Sequence, residues 1–311
     1  MAKQIGIIQY LMLCIFLWGS FNPTHMILMY ISVTHYGVFG FVCYASFWYI
    51  YSAHAVPYRE WRAPLGHWFD MRRLAELLFR DPNNIFKVVF EDKSEFESLQ
   101  GKGRSVVSVT HGIIPYSFMM ATVNYLPTFS PSYHWSLRMM NILSIFFKDA
   151  ETVDSNNVKR MMREKQDFSI TIGGFIEVSL YKYGEYRCYV KPKGLIKYAL
   201  QHGYNLFPMF SFGDEKMYYT INIWQKQRLY LAKYWNLPMM NLCFSPNFLF
   251  HPMIGSGTTT VIGKAIKLPR IENPSQEDID KHHTLFLDEV RRIFKENVQK
   301  YGDPSQPLQL F

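Results

Sequence analysis

The chain has 311 residues, 49% of them hydrophobic and 17% aromatic, with a net charge of +8. Its four cysteines, Cys14, Cys43, Cys188 and Cys243, form no C-x-x-C pair and no regular spacing, which excludes a disulfide framework and a cysteine zinc site and points to a reducing compartment. The length suits one large domain or two modest ones with a substantial core. Lys3 is the only charged side chain before Arg59, so the basic surplus sits on the remainder. A basic face beside a charge-free segment suits anionic lipid or an acidic cofactor better than nucleic acid.

The first apolar run, "IGIIQYLMLCIFLWGSF" (5–21), is followed by "NPTH" and a second run over 26–51. A membrane-spanning helix needs about 20 apolar residues. The second run meets that length, the first is near its lower limit, and Asn22-Pro23 marks a break between them. The pattern predicts a transmembrane helical hairpin over residues 1–57. A signal peptide followed by an anchor is the alternative, but the run lacks a clear small-residue cleavage site. Lys3 precedes the first run, Arg59, Arg62, Arg72 and Arg73 follow the second, and the connection carries no charge. Both ends are therefore expected on the cytoplasmic side. Trp48, Tyr49, Tyr51, Tyr58 and Trp61 read as an interfacial aromatic belt.

Residues 58–311 alternate strand-like and helix-like segments. Strands are expected at 105–109, 168–172, 186–190, 205–210 and 258–262. Helices are expected at 113–125, 135–147, 154–166 and 194–203. This alternation predicts an α/β domain, a mixed sheet flanked by helices. Ser275 with Asp278 is an N-terminal capping pattern, and Ile279, Phe286, Val290, Ile293 and Phe294 recur at helical spacing before Gly302. The adjacent His282 and His283 point in different directions on such a helix and cannot clamp one metal together. No other metal-ligand spacing is present, so no metal is expected.

"SVVSVTHGIIPY" (105–116) places His111 where a predicted strand gives way to a helix. In open α/β sheets that edge binds ligands. Gly112 permits close backbone approach, and a neutral imidazole there can take a proton from an alcohol. A histidine simply held by a backbone hydrogen bond is the alternative. "ITIGGFIEV" (170–178) runs a strand into Gly173-Gly174, with Glu177 following. The carboxylate could orient a histidine, or the stretch could be an ordinary turn with a surface glutamate. Lys191, Lys193 and Lys197 precede or open a helix, where they could pair with phosphates or form a solvated face.

Several ordered blocks carry a resemblance. "KGLIKYALQHGYNLFPMFSFGD" (193–214), "IGGFIE" (172–177) and the segment from "TTTVIGKAIKLPRIENP" (258–274) through residue 302 resemble the type 2 diacylglycerol acyltransferase family. That family includes monoacylglycerol acyltransferases and some wax synthases. The hairpin and "YREWRAPLGHWF" (58–69) sit where the family has its hairpin and following segment, so the resemblance runs along nearly the whole chain. Where the family carries His-Pro-His-Gly, this chain reads Val109-Thr110-His111-Gly112. The broader glycerolipid acyltransferase pattern, an aspartate five residues after the histidine, meets Tyr116 here.

The resemblance implies a membrane acyltransferase that moves a fatty acyl group from acyl-coenzyme A, as co-substrate, to a neutral lipid hydroxyl, diacylglycerol first. It implies His111 as general base with Glu177 orienting it. It also implies Gly112, Gly173 and Gly174 as backbone donors to the oxyanion, and Lys191 and Lys193 as ligands of the coenzyme A phosphates. No bound cofactor is implied. The endoplasmic reticulum is the expected membrane, with the mitochondrial inner membrane as the alternative. Two other readings stay open: a non-catalytic subunit of a membrane complex that keeps the fold, and a lipid-binding protein without turnover. Homo-oligomer or membrane-complex partners are compatible with each.

Overall fold

A computed structural model describes residues 30–31, 34–40, 42–43, 85–110, 112–125, 130–133, 151–152, 155–234, 241–245, 252–253 and 257–311. Two compact units divide the chain, residues 1–80 with 133–152 and residues 81–132 with 153–311. In the first unit, residues 34–40 are helical and lie inside the second apolar run. Tyr36, Val38 and Phe39 are exposed there. No helix among the described residues is long and apolar enough to cross a membrane. The rest of the expected hairpin and its aromatic belt lie outside the described residues, as does the helix expected over 135–147.

The second unit is built on a mixed sheet. Its strands are β1 (Phe86–Phe90), β2 (Arg104–Ser108), β3 (Ser130–Tyr133), β4 (Phe168–Thr171), β6 (Asn205–Phe212) and β9 (Thr258–Ile262). They lie in the order β1-β9-β6-β2-β4-β3, and β10 (Ile266–Lys267) also pairs with β6. Strands β2, β3, β4 and β6 run parallel, and β9 turns antiparallel to β6. The helices are α1 (Lys93–Ser98), α2 (Tyr116–Tyr125), α3 (Ser155–Arg163), α4 (Gly174–Leu180), α5 (Gly194–His202), α6 (Gln225–Tyr234) and α7 (Gln276–Tyr301).

The central strands β2, β4 and β6 are buried on both faces, so their sequences show no apolar–polar alternation. Phe207, Phe210 and Phe212 of β6 are fully buried, each contributing roughly 1.5–3 kcal/mol on removal from water. Pro208 interrupts this central strand without breaking it. β9 pairs with Met209–Phe212 and β10 with Asn205–Leu206, so the missing amide falls between two partners. Its carbonyl still accepts from Gly263 N at 2.9 Å.

Helix α7 confirms its sequence signal. Ser275 and Asp278 form a reciprocal capping box, and Ile279, Phe286, Val290 and Ile293 are buried. One expected strand differs. Residues 186–190 shorten to β5 (Tyr186–Cys188), which leaves the main sheet and pairs in parallel with β11 (Leu308–Leu310). The amide of Tyr189 is diverted to the Glu177 carboxylate at 3.1 Å, so it is lost to a ladder. A short antiparallel pair, β7 (Tyr219–Ile221) with β8 (Leu242–Phe244), stands apart from the main sheet.

Candidate active site

Strand β2 is flanked by parallel neighbours on both sides. Ser108 is in register with Thr171 of β4 and with Met209 of β6. The three strands end at one edge, the position at which open α/β sheets bind ligands. Beyond that edge each flanking strand is followed by a buried carboxylate: Glu177 after β4 and Asp214 after β6. The segment leaving β2 emerges between them.

Glu177 is almost wholly buried. Its Oε2 accepts from the Tyr189 amide at 3.1 Å, which accounts for one charge-assisted bond. The glycine pair before it has a local cause. A Cβ built on Gly173 would stand 1.9 Å from Glu177 Oε2 and 2.7 Å from Cδ. Only glycine lets the carboxylate fold back onto the turn. Gly174 takes φ +51°, the left-handed region that glycine enters freely, and its Cβ position faces open space.

Asp214 is anchored from two sides, by Ser117 and by Tyr181. Ser117 of α2 donates its hydroxyl to Oδ1 at 2.5 Å, and the same Oγ lies 2.9 Å from Thr258 Oγ1 at the start of β9. Tyr181, at the end of α4, donates its hydroxyl to the Glu215 carbonyl at 2.9 Å, with the Asp214 carbonyl 3.2 Å away. Oδ2 of Asp214 is buried and has no hydrogen-bond partner among the described residues. Burial pushes its carboxyl up to about 7; the Ser117 bond opposes this and the neighbouring Glu215 adds to it. Glu215, which accepts from Gly213 N at 2.8 Å, is raised by burial as well. A carboxyl held neutral near pH 7 can donate a proton or a hydrogen bond as well as accept one.

Gly112 brings the β2 edge to Asp214. It is buried with φ +64°, and its Cβ position lies 3.8 Å from Asp214 Cβ and from the Asp214 carbonyl. His111 itself lies outside the described residues. The two residues before it are structural in character. Val109 is fully buried, and Thr110 Oγ1 accepts from the Ser211 amide at 3.0 Å, clamping β2 to β6. Lys191 is exposed. Lys193 pairs with Asp280 of α7 at 2.7 Å. His283 turns its Nε2 to the Val190 carbonyl at 2.8 Å, so the His282-His283 doublet makes no joint site. Sequence reasoning missed Asp214. The signal was present in "FSFGDE", where an acid follows Gly213 directly at the end of a buried strand, but a Gly-Asp pair reads as a surface turn.

The diacylglycerol acyltransferase family model matches residues 140–310, more than half of the chain. The chain belongs to this family. Human acyl-CoA wax alcohol acyltransferase 1 is 31% identical over 128 residues, 36% of this chain and 37% of the relative. Human acyl-CoA wax alcohol acyltransferase 2 is 30% identical over 151 residues, 45% of each chain. Human diacylglycerol O-acyltransferase 2 is 31% identical over 130 residues, 36% of this chain and 31% of the relative. The chain thus matches less than half the length of these relatives. The family match contains Glu177 and Asp214 and begins after His111, so it is narrower than the likeness read from the sequence, which included the hairpin and residues 58–69.

Proposed function

We propose that this diacylglycerol acyltransferase family member is an integral membrane O-acyltransferase. It transfers a fatty acyl group from acyl-coenzyme A to the hydroxyl of a neutral lipid, with diacylglycerol the first candidate. The observation that carries the reading is the pair of buried carboxylates, Glu177 and Asp214, beside the end of the strand that leads to His111, within a chain of this family.

In the proposed reaction, His111 takes the proton of the acceptor hydroxyl as its oxygen attacks the thioester carbonyl. The tetrahedral oxyanion then collapses, the carbon–sulfur bond breaks, and the imidazolium returns the proton to the coenzyme A thiolate. Products are the new ester and free coenzyme A. Glu177 and Asp214 serve in this reading as positioning residues for the imidazole. Gly112 and Gly174 give close backbone approach to the oxyanion. Gly173, also proposed as a backbone donor, has the further task of admitting the Glu177 carboxylate. Lys191, and Lys193 when released from Asp280, face the coenzyme A phosphates. Residues 1–57 anchor the chain as a hairpin, residues 58–311 form the catalytic domain, and the endoplasmic reticulum is the favoured membrane. The exposed Tyr36, Val38 and Phe39 of the helix over 34–40 favour that anchor.

A second reading is a non-catalytic subunit of a membrane complex, in the mitochondrial inner membrane among other sites. The buried Val109 and the clamped Thr110 favour it, because neither can move a proton. One assay separates the two. The purified full-length chain is incubated with labelled acyl-coenzyme A and a panel of acylglycerols and long-chain alcohols. Turnover that falls about 10²- to 10⁴-fold in a folded His111→Ala variant supports catalysis. Absence of turnover with every acceptor, together with stoichiometric recovery in a multi-subunit complex, sinks the enzyme reading.

A further inference from the structure

Between Glu215 and Glu272 the sequence contains no Asp or Glu, yet it carries Lys216, Lys226, Arg228, Lys233, Lys264, Lys267 and Arg270. The first half of this acid-free stretch folds into strand β7, helix α6 and strand β8. These elements bury few of their large side chains. Trp224 is 73% exposed, Tyr234 64% and Tyr230 57%, and Ile221, Ile223 and Phe244 are exposed beside them. A soluble surface seldom gathers so many aromatic and branched apolar groups, and such patches mark interaction sites.

The exposure is built rather than incidental. Trp224 sits at φ +51°, in the left-handed region that bulky residues avoid. The turn is stapled from inside by Arg228, which is buried. Its Nε donates to the Ile223 carbonyl at 2.9 Å and its Nη2 to Asn222 Oδ1 at 3.2 Å. A strained turn held by a buried guanidinium thus presents Ile221, Ile223 and Trp224 outward. On α6, Lys226, Tyr230, Lys233 and Tyr234 fall at i, i+4, i+7 and i+8, one stripe of the helix, and all four are exposed. The Tyr230 and Tyr234 rings lie 4.9 Å apart, with Lys233 Nζ 5.1 Å from the Tyr234 ring. Beside the β7–β8 pair, Tyr183, which follows α4, Tyr219 of β7 and Phe244 of β8 form a chain of rings 4.5 Å and 5.5 Å apart.

Trp and Tyr with interleaved Lys, and no acid, is the chemistry of a bilayer interface. Rings sit at headgroup level, lysine stems lie along the apolar layer with their ammonium groups among phosphates, and cationic faces favour anionic lipid. We propose that Ile221, Ile223, Trp224, Tyr230, Tyr234 and Phe244 form a membrane-contact face of the α/β unit that seats in the headgroup region of an anionic bilayer. Helix α6 packs on α4, the helix that carries Glu177. The helix bearing part of this face is thus in direct contact with the helix that carries Glu177, and a bilayer seated there would bring neutral lipid to the neighbourhood of that helix. Only that last use rests on the acyltransferase reading.

The test uses the full-length chain in vesicles of phosphatidylcholine with phosphatidylserine. Cys14, Cys43 and Cys243 are changed to serine, and single environment-sensitive fluorophores are attached at Trp224→Cys, Tyr230→Cys and, as the control, the exposed Lys281→Cys of α7. Quenching by doxyl-labelled phosphatidylcholine is expected to be several-fold greater at 224 and 230 than at 281, and to weaken when phosphatidylserine is left out. Quenching at 224 and 230 no greater than at 281 overturns the proposal, whether the face meets water, a second copy or another protein. Quenching indifferent to phosphatidylserine overturns its anionic part. Acyl transfer measured on the same vesicles separates the two readings: quenching without turnover keeps the face and removes the enzyme, and turnover without quenching does the reverse.

Discussion

Ser117 and Asp214 are joined by a 2.5 Å hydrogen bond from the serine hydroxyl to Oδ1, across 97 positions of sequence. The bond ties helix α2, which follows the His111 segment, to the loop after β6. It engages one carboxylate oxygen and leaves the other buried and unpartnered among the described residues. Removing a carboxyl from water raises its proton affinity unless hydrogen bonds to the charged form offset the loss, and one serine is too little to do so.

Folding should therefore take up a proton at Asp214. Its carboxyl rises from 3.8 unfolded to about 7 folded. The folded state binds the proton more tightly, so this group's contribution falls as pH rises from about 4 through about 7 and is constant above. Asp214→Asn should be close to neutral at pH 4 and should stabilise the protein at pH 8, by roughly 4 kcal/mol at most. Glu215, raised by burial too, keeps a residual slope of the same sign. Denaturant titrations of both proteins in mild detergent at the two pH values check this, and equal midpoints at pH 8 would refute it. If Asp214 positions the base, the Asn variant should also lose a pH-rate limb near 7.

Gly173 and Glu177 should be energetically coupled. A methyl at 173 collides with the carboxylate that Tyr189 holds, so Gly173→Ala should cost about 1–3 kcal/mol, the usual penalty for overpacking. In a Glu177→Ala background the clash with the carboxylate is gone while the Glu177 Cβ, 2.8 Å from the built methyl, remains, so part of that cost should vanish and a Glu177→Gly background should remove more. A double-mutant cycle on thermal unfolding reads the coupling directly. Additive losses would show that the turn, not the carboxylate, demands glycine.

At the opposite end of β2, Arg104 and Asp167 are both buried and paired. Asp167 also accepts from the Arg104 amide at 3.1 Å, and Arg104 donates to the Phe96 carbonyl at 2.7 Å. Asp167→Ala strands a buried guanidinium and should cost about 3–5 kcal/mol. Replacing both residues with apolar groups of similar volume should recover much of the loss. Specific activity per folded molecule should stay unchanged, since this pair lies at the far end of the strand from Glu177 and Asp214. A change in activity at full folding would refute that separation.

The capping box of α7 offers a smaller effect. Ser275 accepts from the Asp278 amide at 3.1 Å and the Asp278 carboxylate accepts from the Ser275 amide at 2.9 Å. Ser275→Ala should lower stability by about 1 kcal/mol, with glycine losing less. Hydrogen exchange confined to the first turn of α7 should accelerate alongside the shift in unfolding midpoint.

Local chemistry in the sequence determined much of this protein. The short runs at β2, β4, β6 and β9, rich in Val, Ile, Phe and Thr, are legible as strands because a sheet buried on both faces shows no polar alternation. The Ser275–Asp278 cap announces α7 because the orphan amides of a helix start need nearby oxygens. Gly173-Gly174 with Glu177 was legible as a tight turn with a nearby carboxylate because its geometry is contained within a few residues. What the tertiary structure alone decided is non-local. Glu177 had open readings until burial and the Tyr189 amide removed the surface one. Residues 186–188 join 308–310 rather than the main sheet, a choice that depends on where the chain end returns. Asp214 reads as a turn residue in "FGDE". It becomes a buried, proton-binding group only because Ser117 and Tyr181, brought by two separate helices, close over it, and no window of sequence contains them all.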